Sequence, residues 1–298
     1  MTFDDNLTDK FHIYHCTPVD AEEIVYVLLP VHNRRDTTSK FLDCLAKQTY
    51  PRIHLILLDD GSTDDTSSIA QSCFPQLTVL RGDGNWWWAG SLQHGHEWLR
   101  ENARAPSDIV LIINDDTTFE SEFVECGVQV LRSHTRALLQ ARLYSQQTGE
   151  FVEAGVRVDW RTLSFVGVKD PADINCFSTR GLFFRVGDFD SIGGFRPFLL
   201  PHYGSDYEFT MRAFRAGFVP LSVSGVRIWF NETTTGVRAT HGSSAWEFLK
   251  ASFSKRTTQN PLYLTSFILL SCPMRHISIN VARIWKQFLF GFFRSLRN

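Results

Sequence analysis

Leu57-Leu58-Asp59-Asp60-Gly61-Ser62-Thr63-Asp64-Asp65-Thr66 joins an apolar run that begins at Ile53 to a cluster of acids, a glycine and hydroxyls. A buried strand that stops in carboxylates delivers them to the carboxyl edge of a sheet, where open α/β folds bind ligands. The pattern recurs where Ile109-Val110-Leu111-Ile112-Ile113 runs into Asn114-Asp115-Asp116-Thr117. Two such strand ends predict one acidic pocket, suited to a divalent cation and an anionic ligand that needs one.

Outward from these stretches, strands are expected at 24–29, 53–58, 77–80 and 109–113. Helices are expected from Asp36, over about 64–73, and over 91–102. This alternation predicts βαβ units and a mostly parallel sheet. After residue 135 the rhythm changes. Strands are expected at 137–143, 151–158, 163–168 and 221–230, with a helix over 205–217 ending at Gly217. The expected organisation is a polar arm (1–22), a catalytic domain (23–242) with a nucleotide-binding half (23–135) and an acceptor half (136–242), and a helical tail (243–298).

The 298 residues are 43% hydrophobic and 21% charged, an ordinary globular composition. A net charge of -2 argues against a general nucleic-acid binder. It hides an asymmetry, because residues 248–298 contain basic side chains and no Asp or Glu. The six cysteines show no C-x-x-C and read as reduced, buried thiols of a cytoplasmic protein. The acidic N-terminus does not read as a signal peptide. The apolar run 262–272, bounded by Pro261 and Pro273, is too short to span a bilayer. In the last segment Val281, Ile284, Trp285, Phe288, Leu289, Phe292, Phe293 and Leu296 follow helical spacing, opposite Arg283, Lys286, Arg294 and Arg297. Such a helix either lies on an anionic membrane surface or packs on its own domain or a partner subunit, a homodimer included.

No G-x-G-x-x-G follows the first strand and no G-x-x-x-x-G-K-[ST] occurs, which removes the common dehydrogenase and ATPase readings. What remains is Leu29-Pro30-Val31-His32-Asn33-Arg34, Gln48-Thr49-Tyr50-Pro51, Asp59 to Asp64, Asn85 to Gly95, Asn114 to Thr117, Gly193-Gly194-Phe195 and Ser205 to Arg212. In this order the motifs resemble the family 2 glycosyltransferases, inverting enzymes of the A-type glycosyltransferase fold, over about residues 24–240. The variant motifs look most like the rhamnosyltransferase-like branch.

The resemblance implies a Rossmann-like, mostly parallel α/β sheet with a mixed or antiparallel second part. It also implies transfer of a sugar from a UDP- or dTDP-linked donor to a hydroxyl of a lipid-linked or surface glycan, by a protein peripheral on the cytoplasmic membrane face. Asp60 is expected to accept the N3–H of the base, beside a wall of Pro30, Val31, His32 and Asn33. Asp116 aligns with the metal ligand for Mg²⁺ or Mn²⁺, where a bound cation neutralises charge on the departing diphosphate. Asn114 stands where the family has its first acid, and with Asp115 is expected near the donor. Asn231 and His241 are the candidates for a further ligand. Asp206 aligns with the catalytic base, and Ser205 replaces the usual preceding acid. Trp88 and Ser91 are expected at the donor, Trp87 and Gln93 depart from the family pattern, and Arg180-Gly181 is expected to border the acceptor.

Each position also has a plain structural reading. Ser62 with Asp65, Thr117 with Glu120 and Ser205 with Glu208 could each be a helix cap. Three consecutive Trp cannot all face a core from one short loop, and some could pack over the sheet edge. Two other functions compete: a degenerate scaffold that binds nucleotide sugar or glycan, and a sugar-1-phosphate nucleotidyltransferase, whose Gly-rich basic loop is missing between Leu29 and Arg35.

Overall fold

The structure is a computed structural model that describes residues 22–74, 77–232 and 244–296. Most of the expected polar arm, and His241, lie outside the described residues. The first half runs β1 (Val25–Val31), α1 (Arg35–Leu45), β2 (Ile53–Asp59), α2 (Thr66–Cys73), β3 (Leu77–Arg81), α3 (Trp87–Asn102), β4 (Ile109–Ile112), β5 (Thr117–Thr118) and α4 (Phe123–Arg132). Then come β6 (Ala137–Gln140), β7 (Arg142–Ser145), β8 (Phe151–Glu153), β9 (Gly155–Asp159), β10 (Ser164–Val168), β11 (Leu182–Arg185), α5 (Val186–Ile192), α6 (Ser205–Arg215), β12 (Val219–Leu221) and β13 (Arg227–Phe230). The tail holds α7 (Ala245–Ser252), α8 (Pro261–Ser271) and α9 (Met274–Ser295).

The strands form a seven-stranded sheet of order β12-β6-β11-β4-β1-β2-β3. β1 pairs in parallel with both β2 and β4, while β11 is antiparallel to β4 and β6. Both faces of the sheet are covered. Phe41, Leu42 and Leu45 of α1 and Val124 and Val128 of α4 lie in one buried cluster. Leu92 and Leu99 of α3, Phe189 of α5 and Phe209 of α6 lie in the other. Burial on both faces explains why β1, β2 and β4 read as unbroken apolar runs. The expected mixed α/β fold with a mostly parallel central sheet is the one observed.

Three expected strands are each two. The run 137–143 breaks at Ala141, so β6 stays in the large sheet and β7 joins a four-stranded sheet of order β5-β13-β7-β8. The runs 151–158 and 221–230 split likewise, β9 pairing with β10. Hydrophobic alternation alone does not register where a chain changes sheets. Because β6, β11 and β12 share a sheet with β1–β4, the expected halves 23–135 and 136–242 are joined through one continuous sheet.

One side of the apolar run at α8 packs inward, while Leu262 and Leu269 stay exposed. Phe267 stacks near Trp160 and Phe165, and a side chain at Gly204, just before α6, would meet its ring. Arg215 of α6 donates to the Leu270 carbonyl at 2.9 Å. The expected stripe of α9 is divided. Ile284 is buried, Trp285 donates to Thr265 Oγ1 at 3.1 Å, and Phe288 contacts Phe248 and Phe253. Phe290 and Phe293 are 72% and 58% exposed. Among the described residues no helix is long and apolar enough to cross a membrane. Cys44, Cys73, Cys176 and Cys272 are free thiols, though Cys73 is exposed rather than buried. Cys126 corrects the expectation of reduced thiols, because it is disulfide-bonded.

Candidate active site

Register places the acidic strand ends side by side. Val31 pairs with Asp59 across β1 and β2, and Leu28 pairs with Ile112 across β1 and β4. Asp59, Asp60 and Asn114 to Asp116 therefore emerge from neighbouring strands at one edge. β11 enters from the same edge, because the Gly181 N–H donates to the Ile112 carbonyl at 3.0 Å. Thr179 and Arg180 thus stand beside them.

The two acids of the first motif divide their work. Asp59 is fully buried and holds its own turn, accepting from the Ser62 N–H at 2.8 Å and from the Ser67 hydroxyl. Asp60 accepts three backbone N–H groups: Gly84 at 2.9 Å and Trp86 at 3.1 Å on Oδ1, and Trp87 at 2.9 Å on Oδ2. A carboxylate at the N-terminus of α3 suits both the helix dipole and its unpaired N–H groups. In this structure Asp60 anchors the Trp loop. Gly82 is required beside it, since a Cβ there would meet both Asp60 and the Trp86 ring.

His32 donates from Nδ1 to the Asp60 carbonyl at 2.6 Å, which assigns the ring proton, because a carbonyl oxygen only accepts. Asn33 takes a left-handed φ of 53°. Its N–H donates to Ser62 Oγ at 2.9 Å and its Oδ1 accepts from the Thr63 N–H at 2.8 Å. Pro30, Val31, His32, Asn33 and Asp60 therefore form one continuous wall. Ser91 lies on the buried face of α3 and does not join it.

The three tryptophans go to three places. Trp86 packs on His94 with ring centroids 4.2 Å apart. Trp88 donates to Thr179 Oγ1 at 3.1 Å, tying α3 to the start of β11. Trp87, at φ 57°, lies 5.8 Å from the His202 ring. Gln93 accepts from the Phe195 N–H at 2.8 Å, in the crowded space where a side chain on Gly194 would collide with it. The departure from the family pattern at Gln93 thus serves the Gly193-Gly194 turn.

Asp206 begins α6, mostly buried, accepting from its neighbouring Tyr207 N–H at 2.9 Å and from the Thr179 backbone. The expected capping box is absent. Ser205 donates to the His202 carbonyl at 2.7 Å, and Glu208 is buried against Arg212. Burial pushes the Asp206 carboxyl up to about 6, with its hydrogen bonds and Arg180 opposing. Burial thus outweighs the helix dipole, yet leaves a base ionised at neutral pH and close to it in proton affinity.

Pairwise contacts tie these residues together. Asp60 holds Trp87, Trp87 faces His202, Trp88 holds Thr179, and Thr179 meets Asp206. Arg180 lies 4.7 Å over the Phe230 ring, and the next residue, Asn231, donates its N–H to the Asp116 carbonyl at 3.2 Å. Asp60, Asp116 and Asp206 each take part in one of these contacts. The family model described as glycosyl transferase family 2 matches residues 26–188.

The chain belongs to glycosyl transferase family 2. A curated relative, the glycosyltransferase AglE of Haloferax volcanii, is 26% identical over 203 residues, covering 65% of this chain. The chain spans only 62% of that relative's length. Among solved structures, S. aureus TarS residues 1-349 in complex with UDP-GlcNAc aligns with a TM-score of 0.57 at 16% identity, over 92% of this chain and 74% of that one. The mannosyltransferase PcManGT of Pyrobaculum calidifontis, solved with GDP-Man and Mn2+, aligns with a TM-score of 0.54 at 17% identity, over 93% and 75%. At such identity the likeness is one of fold.

Within this family 2 fold the acids after β4 are not equivalent. Asp115 is buried and takes Arg34 Nε at 2.7 and 2.8 Å and the Thr38 hydroxyl at 3.0 Å. Burial pushes its carboxyl up, and Arg34 pulls back without cancelling that push. Burial likewise opposes the Arg34 cation, but the contact with Asp115 more than offsets it. Asp115 is thus committed to the protein. Asn114 and Asp116 are half-buried beside it, the Asn114 carbonyl accepting from Thr117 at 2.7 Å. The described residues contain no cluster of three His, Cys, Asp or Glu that could cage a metal. One hard carboxylate at a strand end fits a Mg²⁺ or Mn²⁺ ion that takes its other ligands from diphosphate and water.

Glu153 of β8 was missed by the sequence reading. Burial pushes its carboxyl up to about 7, with Arg180 opposing, and a side chain at Gly167 would run into it. A lone acid in the apolar stretch Phe151-Val152-Glu153-Ala154-Gly155 was the available signal.

Proposed function

We propose that this chain is an inverting glycosyltransferase that moves a sugar from a UDP- or dTDP-linked donor, rhamnose being one candidate, to an acceptor hydroxyl. The observation that supports this reading is Asp206, a mostly buried carboxylate tuned to about 6, whose neighbour Thr179 is tied by Trp88 to the helix that Asp60 anchors. In the transfer Asp206 accepts the proton of the acceptor hydroxyl as its oxygen attacks the anomeric carbon. The bond to the diphosphate oxygen breaks on the opposite face, and the nucleoside diphosphate leaves with the electron pair. Asp116 would hold Mg²⁺ or Mn²⁺, which supplies Lewis-acid neutralisation of that leaving charge. His32 and Asn33 border the base side of the cleft, and Trp88 its sugar side.

The deciding experiment is a panel of UDP-, dTDP- and GDP-sugars, with Mn²⁺, Mg²⁺ or EDTA. One donor is expected to raise Tm and to be consumed with metal, with the signal lost in EDTA. Binding without consumption in any condition would instead mark a scaffold.

We further propose a lipid-linked or surface glycan acceptor at the cytoplasmic membrane face. The tail's basic charge and the outward Leu289, Phe290 and Phe293 of α9 with Leu296 just after it, near Lys286 and Arg294, support contact with an anionic bilayer. Because α9 also packs through Ile284 and Trp285, deletion would confound folding with binding. Phe290→Glu with Phe293→Glu is the cleaner change. It is expected to weaken partition onto anionic phospholipid vesicles by about tenfold or more, with the urea midpoint unchanged. Equal partition of both proteins would leave this face to a partner subunit, a second copy included.

A further inference from the structure

Lys255 and Arg256, on the loop after α7, reach back to Trp87 at the start of α3. The Lys255 ammonium lies 5.7 Å and the Arg256 guanidinium 5.9 Å from the centre of the Trp87 ring. Both distances are within cation–π range. Neither makes an ion pair with a carboxylate among the described residues. Beneath them, Trp87 Nε1 and His202 Nδ1 are buried and find no hydrogen-bond partner among the described residues. Leaving two buried polar nitrogens unmet is costly, and such groups call for an explanation. Hydrogen bonds hold this segment in place on both sides of Trp87. The Trp87 N–H is held by Asp60, and the Ala89 N–H donates to the Pro201 carbonyl at 3.0 Å, next to His202.

We infer that Lys255, Arg256, Trp87 and His202 form a binding subsite for a phosphoryl group. A phosphoryl group would give the two cations an anionic partner and accept from the indole N–H. Two sources share this chemistry. One is the diphosphate of a nucleotide-sugar donor, and the other is the phosphate of an amphiphilic acceptor, whose apolar chain would meet the exposed Phe253 two residues before Lys255. This inference deepens the transferase reading and rests on it for the nature of the ligand.

The test compares the full chain with Lys255→Gln/Arg256→Gln by calorimetric titration. The probes are inorganic pyrophosphate, UDP, and decyl phosphate below its micellar concentration, with decanol as the uncharged control. The subsite requires at least a tenfold loss of affinity for a phosphate-bearing probe, a shallower salt dependence, no change with decanol, and an unchanged urea midpoint. Loss for pyrophosphate and UDP alone assigns it to the donor, and loss for decyl phosphate alone to the acceptor. Equal affinities of both proteins for all three probes overturn it. Failure of the transferase reading would look different: no sugar donor would be consumed by the unaltered chain, whatever happens to probe binding.

Discussion

Asp206→Asn is expected to lower the rate of sugar transfer by about 10² to 10⁴-fold while leaving donor affinity within a few-fold. The amide keeps the shape and still accepts from the Tyr207 N–H, but cannot take the acceptor proton. In the unaltered chain transfer should rise with pH through about 6, as the Asp206 carboxyl ionises, and then level off. In the variant the residual rate should lose that limb. Stability should move the other way. A carboxyl whose folded pKa is raised above its unfolded value binds the proton more tightly when native. Native stability therefore falls as pH climbs from about 4 to about 6, and Asp206→Asn abolishes that fall. A variant that is slower but no less stable marks a group placed for reaction at the expense of packing. Unchanged turnover, or a limb that persists at about pH 6, would remove Asp206 from this role. Glu153, pushed up to about 7 nearby, is the group whose own replacement would then have to account for the limb.

The largest stability loss is expected from Asp115→Ala. Its carboxylate is 5% exposed and takes both Arg34 contacts and the Thr38 hydroxyl. Removing one member of a buried pair strands the other charge, typically at about 3–5 kcal/mol. Arg34 is 33% exposed and recovers some solvation, so about 2–3 kcal/mol is the appropriate size here. Chemical denaturation checks the value. Arg34→Met combined with Asp115→Leu should recover part of the loss, because no buried charge is then left unpaired. A stability change within about 0.5 kcal/mol, together with lost donor affinity, would instead return Asp115 to the donor contact expected from sequence.

Much of the site was legible because its residues end strands. An apolar run that stops in Asp59-Asp60 or Asn114-Asp115-Asp116 declares its position in any parallel α/β sheet. Which member of each pair faces the ligand was not legible, because adjacent residues in extended chain point to opposite faces. Asp59 and Asp115 turned inward, and Asp60 was drawn to the N-terminus of α3. The Ser205–Glu208 spacing matched a capping box, but Arg212 and Arg196 compete for Glu208 from one turn on and from another loop. Local spacing cannot register a distant competitor.

For this chain, order along the sequence was enough to settle the α/β architecture, the family, and which strand ends carry acids, since burial periodicity and chain connectivity are local properties. Only folding in three dimensions decided that α8 braces the helix bearing Asp206, that Glu153 shares Arg180 with that acid, and that a Lys-Arg pair from the tail lies over Trp87. Those relations join residues far apart in the chain, through burial and charge that exist only once the elements pack.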